Sequence, residues 1–289
     1  MIRAPFRERL AEAIALRGAP LCVGLDPDPE QIPRSLGEGA DALRRHTLAV
    51  VEATSSFAAA YKPNLAFFER FGASGFAVLE EVIQAASRHA PVIADAKLGD
   101  IGSTALAYAE AIYDVLGADA CTVNGYLGAD SIEPFLARED RFAFIVCRTS
   151  NPGASDIQDL LVGEQQRPLY LEVARRAVEW NGRGNVGLVA GATWPAEIGR
   201  IREVARELPI LLPGVGRQGG DLGDAVRAAA GRDGTGSYLV SASRAIGHAS
   251  SGEDFAEAAG QAASDLRDQL RQITKAGARI NLATLPGEE

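Results

Sequence analysis

Histidine is scarce in this chain. His46, His89 and His248 are the only three, none closes an apolar run, and His46 and His89 read as helix or surface residues, so a Ser-His-Asp arrangement lacks its base. Cysteine is as sparse: Cys22, Cys121 and Cys147 are an odd number without zinc-type spacing, each inside an apolar run. That excludes a disulfide framework and predicts buried thiols in a reducing compartment. No basic run or stripe occurs and the net charge is −9, which argues against nucleic acid as a partner. A few local Lys and Arg can still hold a small anion. No apolar stretch reaches the length of a membrane span, and the opening MIRAPFRERLAEAIALRG carries charge where a signal peptide would be apolar. The expectation is a cytoplasmic protein with no membrane partner.

What the chain does have is enough apolar residue, 47% against 23% charged, for one sizeable core. Eight short apolar or β-rich runs recur: 21–26, 57–63, 91–97, 120–125, 142–148, 186–192, 209–215 and 237–243. Between them lie stretches with apolar residues three and four apart, such as 103–118, 169–183 and 195–209, the period of a helix. Ser103 is a candidate cap for the first, and Thr193-Trp194-Pro195 supplies a cap followed by proline at the first turn of the last. Strands that are apolar without alternation suit a parallel sheet covered on both faces. Eight such units in 289 residues predict an α/β protein, a (β/α)8 TIM barrel, ahead of an open doubly wound sheet. No composition shift marks a second domain, so residues 1–289 are expected to form one. Residues 150–168 read as a long polar loop with a short helix in it, and 276–289 as a loosely packed tail.

Charge collects where these strands end. Asp26 closes the first run, Lys62 the second, and Asp95 and Lys97 the third, with Asp100 just beyond Gly99. In such a barrel the chemistry lies at the C-terminal ends of the strands. Side chains alternate along a strand, so Asp95 and Lys97 share one face, their Cβ atoms roughly 6 to 7 Å apart. A structural ion pair at the barrel mouth accounts for any one of these charges, but not for four strand-end charges beside two phosphate-type loops. Those loops follow the seventh and eighth runs: PGVGRQGGD (213–221) and SASRAIG (241–247). Glycines let backbone N–H groups approach an anion, and Arg244 offers a bidentate fork.

Neighbouring carboxylates keep a lysine protonated, so Lys97 between Asp95 and Asp100 is expected to be an ammonium ion. It is a poor Schiff-base nucleophile but a good proton donor to a developing carbanion. Decarboxylation fits: CO2 leaves, negative charge appears on carbon, and the ammonium stabilises it and then protonates it.

With those residues in place, DAKLGDI resembles the D-x-K-x-x-D-I signature of the orotidine 5′-phosphate decarboxylase family. The wider segment YKPNLAFFERFG is similar to its bacterial, longer-chain type 2 subfamily. The likeness continues in order through CVGLDPDP, RTSNPGAS, PGVGRQGGD and SASRAI, from about residue 20 to 247. The resemblance implies decarboxylation of orotidine 5′-phosphate to uridine 5′-monophosphate, with no metal or organic cofactor. It implies a catalytic array of Lys62, Asp95, Lys97 and Asp100, with Lys97 protonating C6. It further implies a homodimer with shared sites, in which Asp100, Ile101 and Thr104 reach the other subunit's site. Asp26 would contact the ribose and Ser150 the pyrimidine, while Gln218 and Arg244, with Pro213 opening the glycine loop, would hold the 5′-phosphate. Two departures stand out: the 150–168 loop is longer than in compact relatives, and Asn124 stands where some relatives carry histidine. The alternative is an Mg2+-dependent sugar-phosphate decarboxylase or aldolase of the same barrel superfamily, which Lys62 opposes because a cation there competes with the metal.

Overall fold

The computed structural model describes residues 3–214 and 222–283. Each of the eight apolar runs contains a strand: β1 Leu21–Leu25, β2 Ala60–Pro63, β3 Ile93–Leu98, β4 Ala120–Val123, β5 Phe142–Arg148, β6 Val186–Ala190, β7 Ile210–Pro213 and β8 Tyr238–Ala242. They pair in parallel in the order β2-β1-β8-β7-β6-β5-β4-β3. Single bridges Tyr61–Val92 and Asn64–Asp95 link the two outer strands. The result is a (β/α)8 barrel, nearly closed, with its seam between β2 and β3.

Two cores explain why the strands are apolar on both faces. Outside, strand residues pack against the surrounding helices. Inside, Cys22, Ala60, Ile93, Ala120, Phe142, Phe144, Val189, Leu211 and Leu239 bring side chains from all eight strands together. Gly187 makes room for the two phenylalanines, since a Cβ there would lie 2.7 Å from the ring of Phe144.

The expected helices form at Gly102–Glu110, Leu169–Trp180 and Pro195–Val204. Their caps differ from expectation. Gly102, at φ 55°, makes the turn into the first, so Ile101 takes the cap position and Ser103 lies inside the helix. Trp194 rather than Thr193 precedes Pro195 at the start of the third, without a side-chain bond. His46 belongs to the helix Gly39–Thr54 but is buried, because its ring stacks between His248 and Phe255. The loop after β5 contains the short helix Ser155–Gln158 and a two-residue antiparallel pairing of Leu161–Val162 with Arg167–Pro168. The last helix, Phe255–Ala283, runs into the segment expected to be a tail.

The N-terminal helix Phe6–Arg17 closes the barrel floor, placing Phe6 and Leu10 against the inner core. Beside it lies Asp119, fully buried just before β4. Its carboxylate accepts from the Val92 N–H at 2.8 Å and pairs with Arg3 at 2.7 Å and Arg9 at 2.8 Å. This one acid ties the N-terminal segment to the base of β3 and β4. Asp119→Ala should therefore cost roughly 3 kcal/mol, the lower end for breaking a buried pair from one side. Urea denaturation reads this out, and a loss below about 1 kcal/mol, the scale of an exposed pair, would contradict it.

Candidate active site

The C-terminal mouth of the barrel is where the predicted charges meet. Lys62, in β2, is 3% exposed and donates from Nζ to Asp95 Oδ2 at 2.5 Å. Lys97 Nζ donates to Asp95 Oδ1 at 2.6 Å. Burial alone would strip the proton from Lys62, but the facing charges of Asp95 and Asp26 outweigh it and hold the ammonium above its ordinary range. Burial would likewise favour a neutral Asp95; the two lysines outweigh it and hold the carboxyl well below the usual carboxylate range. The triad thus carries two positive charges and one negative. Lys97 keeps half of its side-chain surface open to the mouth (50%), so the surplus cation is the accessible one.

Regular alternation does not produce this geometry. Ala94 pairs with Cys121 and Leu98 with Val123, so three residues of β3, Asp95, Ala96 and Lys97, stand opposite the single residue Thr122. The strand bulges there, and Lys97 takes φ 48°, a left-handed conformation that costs a non-glycine residue about 1–3 kcal/mol. Thr122 fills the gap in the ladder. Its hydroxyl oxygen accepts from the Ala96 N–H at 3.0 Å and the Lys97 N–H at 2.9 Å, and its proton goes to Asp95 Oδ1 at 2.9 Å. Sequence reasoning missed this residue; a threonine inside the apolar run ACTV was its only signal.

The remaining predicted residues surround this cluster. Asp26 follows β1, with Oδ1 buried and without a partner among the described residues. Asp100 lies two residues past β3 and accepts from the Ile101 N–H at 2.8 Å; among the described residues no ion pair joins it to Lys97. Ile101 and Thr104 are exposed at the start of the following helix. Ser150 follows β5 and packs on Gly191, where a Cβ would come within 2.8 Å of it. Pro213 ends β7, and Arg244, itself exposed, opens the one-turn helix Arg244–Gly247 after β8. Gln218 lies outside the described residues. Asn124 accepts from the Tyr126 N–H at 3.1 Å, capping the turn after β4.

Arg148, also not anticipated, ends β5 and is buried. It donates to Thr149 O at 3.1 Å, Gln158 at 3.3 Å and Asp159 at 3.1 Å, with its guanidinium 4.9 Å from the Trp194 ring. Gln158 accepts in turn from the Thr149 N–H at 2.8 Å, so the loop bearing Ser150 is pinned to the strand it leaves. On the other side His248 Nε2 lies 3.0 Å from the Asp26 carbonyl, joining the β8 turn to the β1 loop. Burial pushes the neighbouring His46 imidazole down to about 4, so it is neutral at pH 7. A cavity of about 720 Å3 lies elsewhere, at the floor of the barrel beside Arg202 and the 231–236 turn. Of the arginines that line it, Arg232 pairs with Glu203 at 3.4 Å and Arg227 with Asp224 at 2.6 Å.

Comparison with known proteins agrees with this geometry. The profile of the orotidine 5′-phosphate decarboxylase / HUMPS family matches residues 19–259. Orotidine 5′-phosphate decarboxylase of Thermomicrobium roseum is 50% identical over 271 residues, 93% of this chain and 96% of that protein. The Roseiflexus castenholzii enzyme of the same name is 48% identical over 272 residues, 94% and 99% of the two chains. Among solved structures, OMP decarboxylase of Leishmania donovani superimposes with a TM-score of 0.82 at 40% identity, covering 94% of this chain and 99% of its own. The chain belongs to the orotidine 5′-phosphate decarboxylase family.

Proposed function

We propose that the charged cluster at the barrel mouth decarboxylates orotidine 5′-phosphate to uridine 5′-monophosphate and CO2, the work of a carboxy-lyase in pyrimidine biosynthesis. The observation that carries this reading is the 2.6 Å contact of Lys97 with Asp95, at a strand end of a chain that belongs to the decarboxylase family. As the C6–carboxylate bond breaks, its electron pair stays on C6. The Lys97 ammonium stabilises that charge and then delivers its proton there. Asp95 keeps the Lys97 side chain aimed. Because both Asp95 oxygens already accept from ammonium groups, repulsion of the substrate carboxylate contributes less than attraction by the surplus cation. The metal-dependent sugar-phosphate alternative has no support among the relatives, and Lys62 at the same carboxylate repels a divalent ion.

Asp26, with its open buried oxygen, takes the ribose hydroxyls; Ser150 takes the pyrimidine; Arg244, together with Pro213 and Gln218 of the glycine loop, takes the 5′-phosphate. Asp100 stands apart from its own array, and Ile101 beside it is 58% exposed. A homodimer in which Asp100, Ile101 and Thr104 complete the partner's site accounts for both facts. No helix among the described residues is long and apolar enough to cross a membrane. Three free, buried cysteines suit a reducing cytoplasm, where the chain works as a single domain.

Lys97→Ala should lower kcat by at least about 1,000-fold, within the range for a lost general acid, while leaving the melting temperature near that of the parent, because half of this side chain is already solvent-exposed. Lys62→Ala should lower stability as well, since it strands a buried carboxylate. Loss of orotidine 5′-phosphate absorbance and thermal melts separate the two, and an active Lys97→Ala protein would sink the mechanism. Co-refolding inactive Lys97→Ala and Asp100→Asn chains should restore activity, because one mixed site then draws an intact Lys97 and an intact Asp100 from different subunits. No recovery in verified mixed dimers would place Asp100 in its own subunit's site.

A further inference from the structure

We infer that Thr122 is a positioning residue for the reaction: its hydroxyl holds β3 in the bent form that aims Lys97 across the mouth. The inference rests on the decarboxylase reading of the array and goes beyond it by naming what keeps the proton donor in place. A hydroxyl has one proton and two lone pairs. All three of Thr122's are used on β3, as two acceptances from consecutive amides and one donation to Asp95.

The bulge explains why such a group is needed. In a regular parallel ladder the Ala96 and Lys97 amides would not both fall beside one residue of β4. Here three residues crowd opposite Thr122, and Lys97 sits at φ 48°. Amides partly withdrawn from water need partners, and a left-handed lysine persists only where its surroundings over-determine it. Thr122 is 1% exposed and supplies that constraint from a rigid neighbouring strand. The same oxygen that fixes the Lys97 backbone donates to the carboxylate that fixes the Lys97 side chain. Backbone and ammonium are therefore held by one group, so losing it frees both at once.

A filler role and a positioning role make different predictions. Valine fills the same space but offers neither donor nor acceptor, whereas serine keeps the hydroxyl and loses only a methyl group. In Thr122→Val, kcat for orotidine 5′-phosphate should fall by about 100-fold, the cost of a misplacement near 1 Å. Its KM should stay within about threefold, because the groups gripping ribose and phosphate are elsewhere. Thr122→Ser should stay within about threefold of the parent in kcat. Amide exchange measured by mass spectrometry over residues 93–100 should be faster in the valine protein and nearly unchanged in the serine one. Should the valine protein fail to fold, Thr122→Ala makes the same comparison. Parental kcat in the valine protein, or serine as impaired as valine, would overturn the inference. If the parent itself fails to turn over orotidine 5′-phosphate, the decarboxylase reading falls. The exchange comparison then still decides whether the hydroxyl holds the bend.

Discussion

Where β2 and β3 meet, the barrel is joined by two isolated backbone bridges, and across that seam runs the ion pair of Lys62 with Asp95. Taking an ammonium and a carboxylate out of water costs several kcal/mol each, recovered only when the pair is close and the remaining lone pairs are satisfied. Both conditions hold: 2.5 Å separates the charges, and Lys97 and Thr122 occupy the other carboxylate oxygen. A hydrophobic pair of equal volume would stabilise the seam at least as well, so packing does not account for these charges. Their use lies in what they hold in place. Asp95 sits below the usual carboxylate range, so its stabilisation is present above that range and is lost only as pH falls through its lowered pKa. Lys62 sits above the usual lysine range, and its share is lost only as pH rises through its raised pKa. Between those limits the charge state of the seam is fixed, which is the condition for a donor whose chemistry runs at neutral pH.

Much of this was readable beforehand because it depends on short-range pattern. The eight apolar runs became eight strands since a strand covered on both faces has no polar position to hide. The charges of Asp26, Lys62, Asp95 and Lys97 stood out because each interrupts such a run at its end. The misreadings share a cause of their own. Ser103 has the right chemistry for a cap, but Gly102 turns the chain one residue sooner. His46, expected in a helix or at the surface, does lie in a helix, but there His248 and Phe255, distant in sequence, bury it. Arg148 ends its apolar run just as Lys97 does and could have been found by the same rule. Thr122 could not, because its role exists only through a register break between two strands, and no single strand's sequence records how it pairs.

The loop after β5 shows how a long connection at a strand end can be held. Arg148, through Gln158 and Asp159, folds it back onto the end of β5, so its length does not loosen Ser150. Stacking on Trp194 shields the guanidinium from competing water. A long loop at a strand end is held when a buried cation at its root gives the loop's side chains something to bind.

The two ends of the barrel contain similar inventories with opposite outcomes, and the contrast separates a structural ion cluster from a working one. At the floor, Asp119 is met by arginines whose other donors are committed too: Arg9 to Ala4 O and Asp140 O, Arg141 to Ala118 O and Tyr113 O. Arg9 and Arg141 are thus tied to backbone as well as to the acid, and the cluster holds the fold. At the mouth, Asp95 is equally saturated, but the Lys97 ammonium bonds only to it among the described residues, and the side chain keeps half of its surface in the opening. A cation that is oriented yet not used up can meet a charge that appears only during reaction. Satisfied geometry on the carboxylate side and unspent capacity on the lysine side are together what make this strand end suited to catalysis.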